Sequence, residues 1–568
     1  MLLCVTSAFL CGKGSRKAVT AEAQRNAEVT QRNQSISHSN LRLKRSISMN
    51  RHLMFARRTA LAFVLSMAAI FSIAAQQKTE CNVKVTLLQV NDVYQFAPVD
   101  QGTRGGLGRV MTMKKSIQQQ NPNTLLLMSG DTISPSVESI THKGAQMIEA
   151  WNVVGLDYAT FGNHEFDFGP DVLKQRVKES KFGWVAANVI DTTTNKPFAD
   201  VPPYVVREFG GVKVGIFGLV LPETKSTSKP GPNVEFRNPC ETAKAMVSEL
   251  HAQGVKVVVA LTHLSMREDK EVARCADVDL IIGGHEHSLL ESHAGNAPIF
   301  KMTSDAREVG QIDLNISPTT GELESIDWKV IPVDTTTQEA TEFAAVYKKY
   351  ADLLAQLAKP IGKTSVKLDA RSAENRNRET NVGNFIADQF RKSTAADVGL
   401  MNGGSVRADT IIGPGTLTQR DLLSILPFKN NLVKIEVTGA TLRAALEHGV
   451  ARSAEDAEPG RFPQVSGVQF TFDASRPAGA RIVEVKVNGL PLDDTKKYTL
   501  TTTTFVALDG GDGYTMLKGS RVIIPPEKAP VDVDVVKNAI RTGRAIAPKI
   551  EGRIKRLDRA QKSGPNCN

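Results

Sequence analysis

One stretch of ten residues decides the expected fold: Thr160-Phe161-Gly162-Asn163-His164-Glu165-Phe166-Asp167-Phe168-Gly169. An apolar, strand-like run from Leu156 leads into it, and Gly169-Pro170 closes it and begins a predicted helix, because proline is tolerated in a first helical turn. A strand that ends in Gly-Asn-His places polar groups at the carboxyl edge of a sheet, where open α/β sheets bind ligands. The alternative for this stretch alone is a surface turn with a structural histidine.

Four further runs, at 83–90, 124–129, 255–261 and 279–282, predict strands, and 124–129 is almost wholly apolar, as expected of a strand buried on both faces. Together the five predicted strands end in polar residues: Asp92, Asp131, Asn163-His164, His263 and His285-x-His287. One Asp or His at a strand end is more often structural, but five in succession are hard to explain without a metal. Imidazole and oxygen donors without cysteine suit Zn, Mn, Fe or Ni.

Length and charge limit the function classes. A chain of 568 residues is too long for one core and predicts two or three domains. Residues 1–75 contain eleven Lys or Arg and two Glu, so nine of the ten net positive charges lie there. The remainder is nearly neutral, which excludes general binding of polymeric nucleic acid.

Residues 49–75 are typical of a secretory signal peptide, because three arginines precede the apolar run 60–73 and small residues follow it. The alternative is an uncleaved membrane anchor, but the run is short for a span. We therefore expect export to the periplasm or the extracellular space, without a stable membrane anchor. Met49 or Met54 is then a candidate start, and residues 1–48 are an unstructured or wrongly assigned extension.

Cleavage of this signal would leave four cysteines: Cys81, Cys240, Cys275 and Cys567. Four cysteines allow three disulfide pairings, and export makes disulfides possible. Free buried thiols are the alternative, and the sequence leaves the pairing open.

The strand-end motifs resemble those of the calcineurin-like metallophosphoesterases and, more closely, the secreted and periplasmic 5'-nucleotidase and UDP-sugar hydrolase family. The similarity covers roughly residues 82–557 and includes the helix start at Gly105-Gly106-Leu107-Gly108-Arg109. It implies an α/β (α+β) fold, with a four-layer α/β/β/α sandwich over 82–334 and a second α/β nucleotide-binding domain over 361–557. Apolar residues at three- and four-residue steps predict a linker helix at 335–360 between them.

The resemblance also implies two divalent metal ions, Zn, Mn or Fe, that bind a bridging hydroxide for attack on the phosphorus. The first donor set would be Asp92, Asp131 and His287. The second donor set would be Asp131, Asn163, His263 and His285. By the same resemblance, His164 would stabilise or protonate the leaving oxygen, and Asp167 would orient its ring.

Tyr94 departs from the family pattern, which has a histidine two residues after the first aspartate. Phenol is a poor ligand for Zn or Mn near neutral pH, because its pKa is about 10. We expect Tyr94 to pack or hydrogen-bond, which would leave one metal site weaker or completed by water. Binding of a phenolate to ferric iron is the alternative.

Glycine-rich and basic motifs in the second domain resemble the family's nucleotide-binding motifs. The implied phosphate ligands are Arg376 and Arg407, with Arg378 as a possible substitute for Arg376. The implied contacts to the nucleoside are Asn402 and Asp512 for its polar groups and Phe462 and Phe505 for the base. Phe505 stands one residue further from the Gly-Gly-Asp motif than in the family.

The preferred activity is hydrolysis of a 5'-nucleotide to nucleoside and phosphate by an exported enzyme. Hydrolysis of UDP-sugars or of 2',3'-cyclic nucleotides is the alternative within the family. A nucleotide-binding protein that is catalytically impaired because of Tyr94 is an alternative of another class. The expected partner is a small-molecule nucleotide, and the oligomeric state is left open.

Overall fold

The computed structural model of the protein describes residues 81–453 and 459–558. The predicted signal peptide, the segment that precedes it and Cys567 lie outside these residues. Within the described ranges, the helices are too short or too polar to cross a membrane.

The first half of the described chain forms two six-stranded sheets. The first sheet contains, in order across it, Leu323–Pro332, Glu308–Ile316, Val83–Val90, Thr124–Ser129, Tyr158–Thr160 and Gly183–Trp184. The second sheet contains Leu290–Ala294, Ala297–Lys301, Leu280–Gly283, Val257–His263, Val212–Val220 and Tyr204–Phe209. A small third sheet contains Lys196–Pro197, Val189–Asp191 and Val234–Phe236.

Side-chain alternation along the central strands produces the layers. Val85 and Leu87 of the first sheet share a buried cluster with Val257 of the second sheet, so these side chains fill the space between the sheets. Leu88 and Val258 point the other way, into a cluster that includes the helices. The expected four-layer α/β/β/α sandwich is confirmed.

Helices cover the outer faces of both sheets. They are Leu107–Gln120, Val137–His142, Ala145–Val154, Pro170–Glu179, Thr224–Thr227, Pro239–Ala252 and Met266–Cys275, with 3₁₀ turns at His164–Phe166 and Phe198–Asp200. A disulfide joins Cys240, near the start of one helix, to Cys275 at the end of another. Cys240 therefore pairs with Cys275, while Cys81 is exposed and has no disulfide partner among the described residues.

Within each sheet, the strands that carry the polar ends run parallel to one another. Val90 is paired with Met128, Ser129 with Thr160, and Thr262 with Gly283 in parallel register. The carboxyl ends of each sheet therefore meet at one edge, as the sequence predicts.

The linker helix predicted over 335–360 forms only in its second part. Asp334 Oδ1 accepts hydrogen bonds from Thr336 N at 2.9 Å and from Thr336 Oγ1 at 2.6 Å. This local turn competes with a helix, so helical structure begins later. It consists of a 3₁₀ turn at Thr341–Phe343 and two short helices at Ala344–Lys349 and Ala351–Leu357.

The second half is built on a five-stranded sheet that contains, in order, Pro463–Ser466, Val398–Asn402, Lys497–Thr503, Leu432–Thr438 and Arg521–Ile524. A four-stranded sheet contains Leu490–Pro491, Ile482–Val487, Val468–Phe472 and Ile554–Arg556. Two strand pairs join Pro360–Thr364 to Gly415–Thr418 and Leu368–Asp369 to Ile411–Ile412. The α-helices are Ser372–Asn375, Asn381–Thr394, Gln419–Ile425, Gly439–Val450 and Asp532–Ile540.

Short 3₁₀ and π-helical turns complete the second half. They are Gly403–Ser405, Phe505–Asp509, Gly511–Gly513, Thr515–Leu517 and Pro526–Lys528. Phe505–Asp509 forms a π-helical turn, which holds one residue more than an α-helical turn. The extra residue fits the observation that Phe505 stands one residue further from the Gly-Gly-Asp motif than in the family.

Candidate active site

Four of the strand-end residues have a positive φ angle, a backbone conformation that residues other than glycine rarely adopt. The φ angles are 53° at Asp92, 62° at Asp131, 89° at His285 and 58° at His287. Each such residue costs on the order of 1–3 kcal/mol, and residues of this kind cluster at functional sites. The rest of the fold must therefore stabilise this edge of the sheets.

Glu165 supplies part of that stabilisation. Its buried carboxylate accepts hydrogen bonds from the backbone N–H of Asp131 at 2.8 Å, of Thr132 at 2.6 Å and of Ile133 at 3.2 Å. Burial and the neighbouring Asp131 raise the pKa of Glu165 to about 7. Gly162 also donates to this carboxylate, and a Cβ there would stand 2.1 Å from Asp131 Oδ1, so only glycine fits. The sequence motif contained Glu165, but its role became evident only from these contacts.

The second donor set is arranged as a metal site. His263 Nδ1 donates to the carbonyl of Ser129 at 2.7 Å, which leaves Nε2 3.3 Å from Asp131 Oδ2. The buried atom Asn163 Oδ1 has no hydrogen-bond partner within the described chain, and His263 Nε2 faces the Asp131 carboxylate. Ligand atoms of Asp131 and His263 lie within 4.8 Å of each other and of a ligand atom of Asp92, which belongs to the first donor set. Buried donors of this kind fit a divalent cation.

Charge at this edge is balanced between carboxylates and imidazoles. Burial alone would raise the pKa of Asp92, but His287 and His263 outweigh it and lower the pKa well below its usual value. Burial would lower the pKa of His263, but Asp131 and Asp92 outweigh it and raise the pKa to about 10. Burial and His263 lower the pKa of His285, so its ring is neutral and can act as a ligand.

Tyr94 lies inside the first donor set. Its hydroxyl is 3.1 Å from Asp92 Oδ1, 3.3 Å from Asp131 Oδ2 and 2.8 Å from His287 Nε2. Arg407, from the second half of the chain, donates to the same hydroxyl at 2.6 Å and lies 3.3 Å from His287 Nε2. Burial raises the pKa of the Tyr94 phenol well above its ordinary value, so the group is neutral. The expectation that Tyr94 hydrogen-bonds is confirmed.

The His164 ring contacts the Asp167 carboxylate directly. His164 Nδ1 is 2.8 Å from Asp167 Oδ2, and the other Asp167 oxygen accepts from Ser228 Oγ at 2.7 Å. His164 Nε2 is 4.0 Å from Asp131 Oδ2, and the imidazole is stacked on Phe428 with ring centroids 5.8 Å apart. Asp167 thus fixes the ring, while Nε2 points towards the strand ends.

A cavity of about 470 Å³, called here the central cavity, joins the strand ends to the second half of the chain. Most of the predicted residues line it: Asp131, Asn163, His164, Asp167, His285, His287, Arg376, Asn402, Arg407, Phe505 and Asp512. Asn402 Nδ2 donates to Asp512 Oδ2 at 2.6 Å, and Asn402 Oδ1 accepts from Ser405 Oγ at 2.6 Å. This pair holds the polar wall of the cavity in place.

Two of the predicted nucleotide contacts lie elsewhere. Phe462 is 0% exposed and packs in the hydrophobic core against Phe472, so its ring cannot flank a base in this conformation. Arg378 is an exposed side chain that pairs with Glu374 on the surface, so it does not substitute for Arg376. The interpretation of these two residues from the sequence was wrong.

Phe428, and not Phe462, is an aromatic residue at the wall of the central cavity. It is half-buried and lines the central cavity with Phe505. Thr418 and Asp421 form a capping box at the start of the preceding helix, and Leu426-Pro427 ends that helix, so the chain presents Phe428 from a turn. In the sequence, the feature that could have identified Phe428 is its position directly after Pro427, which ends the helix.

The two halves meet around the central cavity through ion pairs. Arg452 donates to Glu223 at 2.6 Å, and Arg461 contacts the same carboxylate. On another side, Arg420 lies 3.1 Å from Glu138. These contacts, with that of Arg407 to Tyr94, hold the halves in a closed arrangement.

Comparisons with known proteins agree with this architecture. Residues 85–289 match the family model of calcineurin-like phosphoesterases, and residues 360–519 match that of the 5'-nucleotidase C-terminal domain. The trifunctional nucleotide phosphoesterase protein of Bacillus subtilis (strain 168) is 30% identical over 534 residues, which is 84% of this chain but only 35% of that protein. The 5'-nucleotidase of Diplobatis ommata is 28% identical over 549 residues, or 88% of this chain and 94% of the relative. A solved 5'-nucleotidase precursor from Thermus thermophilus aligns with a TM-score of 0.77 and 29% identity, covering 84% of this chain and all of that one.

Proposed function

We infer the function from the premise that this chain belongs to the family that joins a calcineurin-like phosphoesterase domain to a 5'-nucleotidase C-terminal domain. It is accordingly a hydrolase of phosphoester bonds. We propose that its substrate is a nucleoside 5'-monophosphate, which it converts into nucleoside and phosphate. The observation that carries this proposal is that one cavity is lined both by metal-donor residues and by residues suited to a nucleoside.

The second donor set would hold a divalent ion, Zn, Mn or Fe. Such an ion supplies positive charge that stabilises the phosphoryl oxygens and activates the attacking oxygen. The family resemblance implies another ion in the first donor set, where Tyr94 and Arg407 lie. Arg407 and Arg376 line the cavity beside these residues and would bind the phosphate, because a guanidinium matches two phosphate oxygens at once.

His164 would act on the leaving oxygen. Its Nδ1–H is held by Asp167 at 2.8 Å, so a proton on Nε2 faces the strand ends where the phosphoester would lie. A proton at that atom would neutralise the alkoxide of the departing nucleoside. Asp167 stabilises the protonated imidazole and fixes the orientation of its ring.

The nucleoside would lie against the second half of the chain. Phe428 and Phe505 line the cavity and would contact the base, and Asp512 and Asn402 would bind its polar groups or the ribose. Burial raises the pKa of Asp512, although Asn402 opposes this by donating to it. The base contacts differ from those expected from the sequence, since Phe428 replaces Phe462.

A panel of phosphoesters tests this proposal. The purified protein, stripped of metal and reloaded with Mn, Zn or Fe, is assayed with AMP, UMP, UDP-glucose, 2',3'-cyclic AMP and p-nitrophenyl phosphate. We expect the highest kcat/KM for the 5'-monophosphates, with His164→Ala, purified in the same way, as the control for contaminating phosphatases. A higher value for UDP-glucose or the cyclic nucleotide would favour the corresponding alternative. Binding of AMP without turnover under every metal would support the impaired binding protein instead.

Export is a further part of the proposal. It rests on the basic, apolar and small-residue order of residues 49–75 and on the Cys240–Cys275 disulfide, since disulfides persist in oxidising compartments. Fractionation of the producing cells, with N-terminal sequencing of the mature chain, tests it. A cytosolic chain that begins before residue 49 would contradict it.

A further inference from the structure

Lys301 is a buried cation that the proposed reaction does not use. It is the last residue of the strand Ala297–Lys301, which pairs with Leu280–Gly283 in parallel register, so it lies at the edge where the predicted metal donors meet. Its side chain is 1% exposed. Burial would lower the pKa of Lys301, but Asp269 and Glu286 outweigh it and raise the pKa, so the ammonium stays charged. A charge buried in this way is retained only with close partners.

Two backbone contacts connect the Lys301 ammonium to the segments that carry His263 and His285. Its Nζ donates to the carbonyl of Leu264, the residue directly after His263, at 2.7 Å. It also donates to the carbonyl of Gly284, the residue directly before His285, at 2.9 Å. One side chain therefore holds together two backbone segments that each carry a predicted metal donor.

Glu286 extends this connection to the third histidine of the second sheet. It stands between His285 and His287, and its carboxylate accepts from Lys301 Nζ. The other oxygen of the same carboxylate accepts from the backbone N–H of Met266. The turn that contains both histidines is thus attached to the buried ammonium at two points, the Gly284 carbonyl and the Glu286 carboxylate.

Asp269 completes the cluster from the neighbouring helix. One of its oxygens lies 2.7 Å from Lys301 Nζ, and the other accepts from Thr262 Oγ1 at 2.7 Å. Thr262 directly precedes His263, so this segment is held on both sides of the histidine. A Cβ at Gly283 would stand 2.9 Å from Lys301 Cε and 3.0 Å from Asp269 Oδ2, so the cluster packs closely on the strand end.

The backbone of the turn needs such support. The φ angles of His285 and His287 are 89° and 58°, and conformations of this kind persist only where the surrounding contacts hold them. In the first sheet, the Glu165 carboxylate provides the support by accepting from backbone N–H groups. In the second sheet, the Lys301 ammonium provides it by donating to backbone carbonyls. Loss of partners that orient metal ligands typically weakens metal binding about 10- to 100-fold.

We propose that Lys301 is a positioning residue, which holds His263, His285 and His287 in the arrangement that binds a divalent ion. Lys301 does not line the central cavity, so it acts through these histidines and not on the phosphoester. The inference rests on the proposed metal dependence, but it concerns how the donors are held rather than the substrate.

Lys114 offers a matched control. It is also a buried lysine, 6% exposed, and it donates to the carbonyl of Gly155 and, at 2.8 Å, to the carboxylate of Asp157. These two partners precede the strand Tyr158–Thr160, at the end opposite to the predicted donors. Lys114→Met therefore removes contacts of the same kind away from the predicted metal site.

Binding of Mn²⁺ tests the proposal without any substrate. Metal-stripped wild type, Lys301→Met, the double variant Lys301→Met/Glu286→Gln and Lys114→Met are titrated with Mn²⁺. Electron paramagnetic resonance measures the free ion, at a temperature where thermal unfolding shows each protein to be folded. The double variant removes one positive and one negative charge, so the net charge of the cluster is unchanged. We expect Kd to rise about 10- to 100-fold in both Lys301 variants and to stay at the wild-type value in Lys114→Met, although Tm falls in all three.

Other outcomes would overturn the inference. A wild-type Kd in folded Lys301→Met would show that the ammonium does not hold the donors. Recovery of wild-type affinity in the double variant would show that Lys301 acts through its charge alone. Should Lys301→Met fail to fold, the double variant decides, because it keeps the net charge of the cluster. An equal loss of affinity in Lys114→Met would indicate a general loss of stability.

The same titration separates this inference from the proposed function. Binding of Mn²⁺ by the wild type without hydrolysis of any nucleotide would contradict the proposed function and leave the role of Lys301 intact. Absence of Mn²⁺ binding by the wild type would overturn the proposed metal dependence and the role of Lys301 together.

Discussion

Replacement of Phe505 by alanine should separate nucleotide recognition from phosphoester chemistry. The ring lines the central cavity and rests on Gly511, where a Cβ would stand 2.3 Å from it, so the ring is fixed for stacking. Stacking of a base on an aromatic side chain contributes about 1–3 kcal/mol. At about 1.4 kcal/mol per factor of ten, Phe505→Ala should raise KM for AMP roughly 5- to 150-fold. Hydrolysis of p-nitrophenyl phosphate, which has no base, should stay within about twofold.

The assay is steady-state phosphate release for both substrates, at a temperature where thermal unfolding shows every variant to be folded. Phe462→Ala is the matched control, because that ring is buried in the core and its loss should cost about 3–5 kcal/mol of stability. We expect this control to lower Tm without changing the ratio of the KM for AMP to the KM for p-nitrophenyl phosphate. Equal losses on both substrates in Phe505→Ala would refute the argument, since the ring would then support the fold rather than the base.

Three further predictions follow from particular contacts. His164→Ala should lower kcat about 10²- to 10⁴-fold while metal content by mass spectrometry stays at the wild-type value; loss of the ion would make His164 a ligand instead. Burial raises the pKa of Asp532 to about 7, so the folded state retains a proton that the unfolded state loses from about pH 3.8 upward. The free energy of unfolding should therefore fall between these values by up to about 1.4 kcal/mol per pH unit, and Asp532→Asn should flatten this dependence in denaturant titrations. Replacement of Cys240 and Cys275 by serine opens a bridge across 35 residues and should cost about 2–4 kcal/mol in the same titrations; an unchanged midpoint would argue against the disulfide.

The strands and their polar ends could be predicted because each depends on local sequence. Runs such as 83–90 and 124–129 are mostly apolar, and parallel strands bring their carboxyl ends to one edge of the sheet. Asp92 and Asp131 could therefore be assigned to one site from the sequence alone.

The contacts that distinguish this chain could not be predicted in the same way. Tyr94 and Arg407 are 313 residues apart, and their hydrogen bond exists only because the two halves close on each other. Phe462 and Phe428 are both aromatic residues near turns, and only packing places the first in the core and the second at the cavity. The start of the linker helix was missed because the Asp334 turn competes locally with the helical pattern.

The most direct test of the account is the rate of phosphate release from AMP as metal-stripped protein is titrated with Mn²⁺. The account predicts almost no release without metal and a rise with added ion, because the strand-end donors would hold the ion that acts on the phosphate. Absence of phosphate release at every ratio of metal to protein would contradict the proposed hydrolysis of 5'-nucleotides.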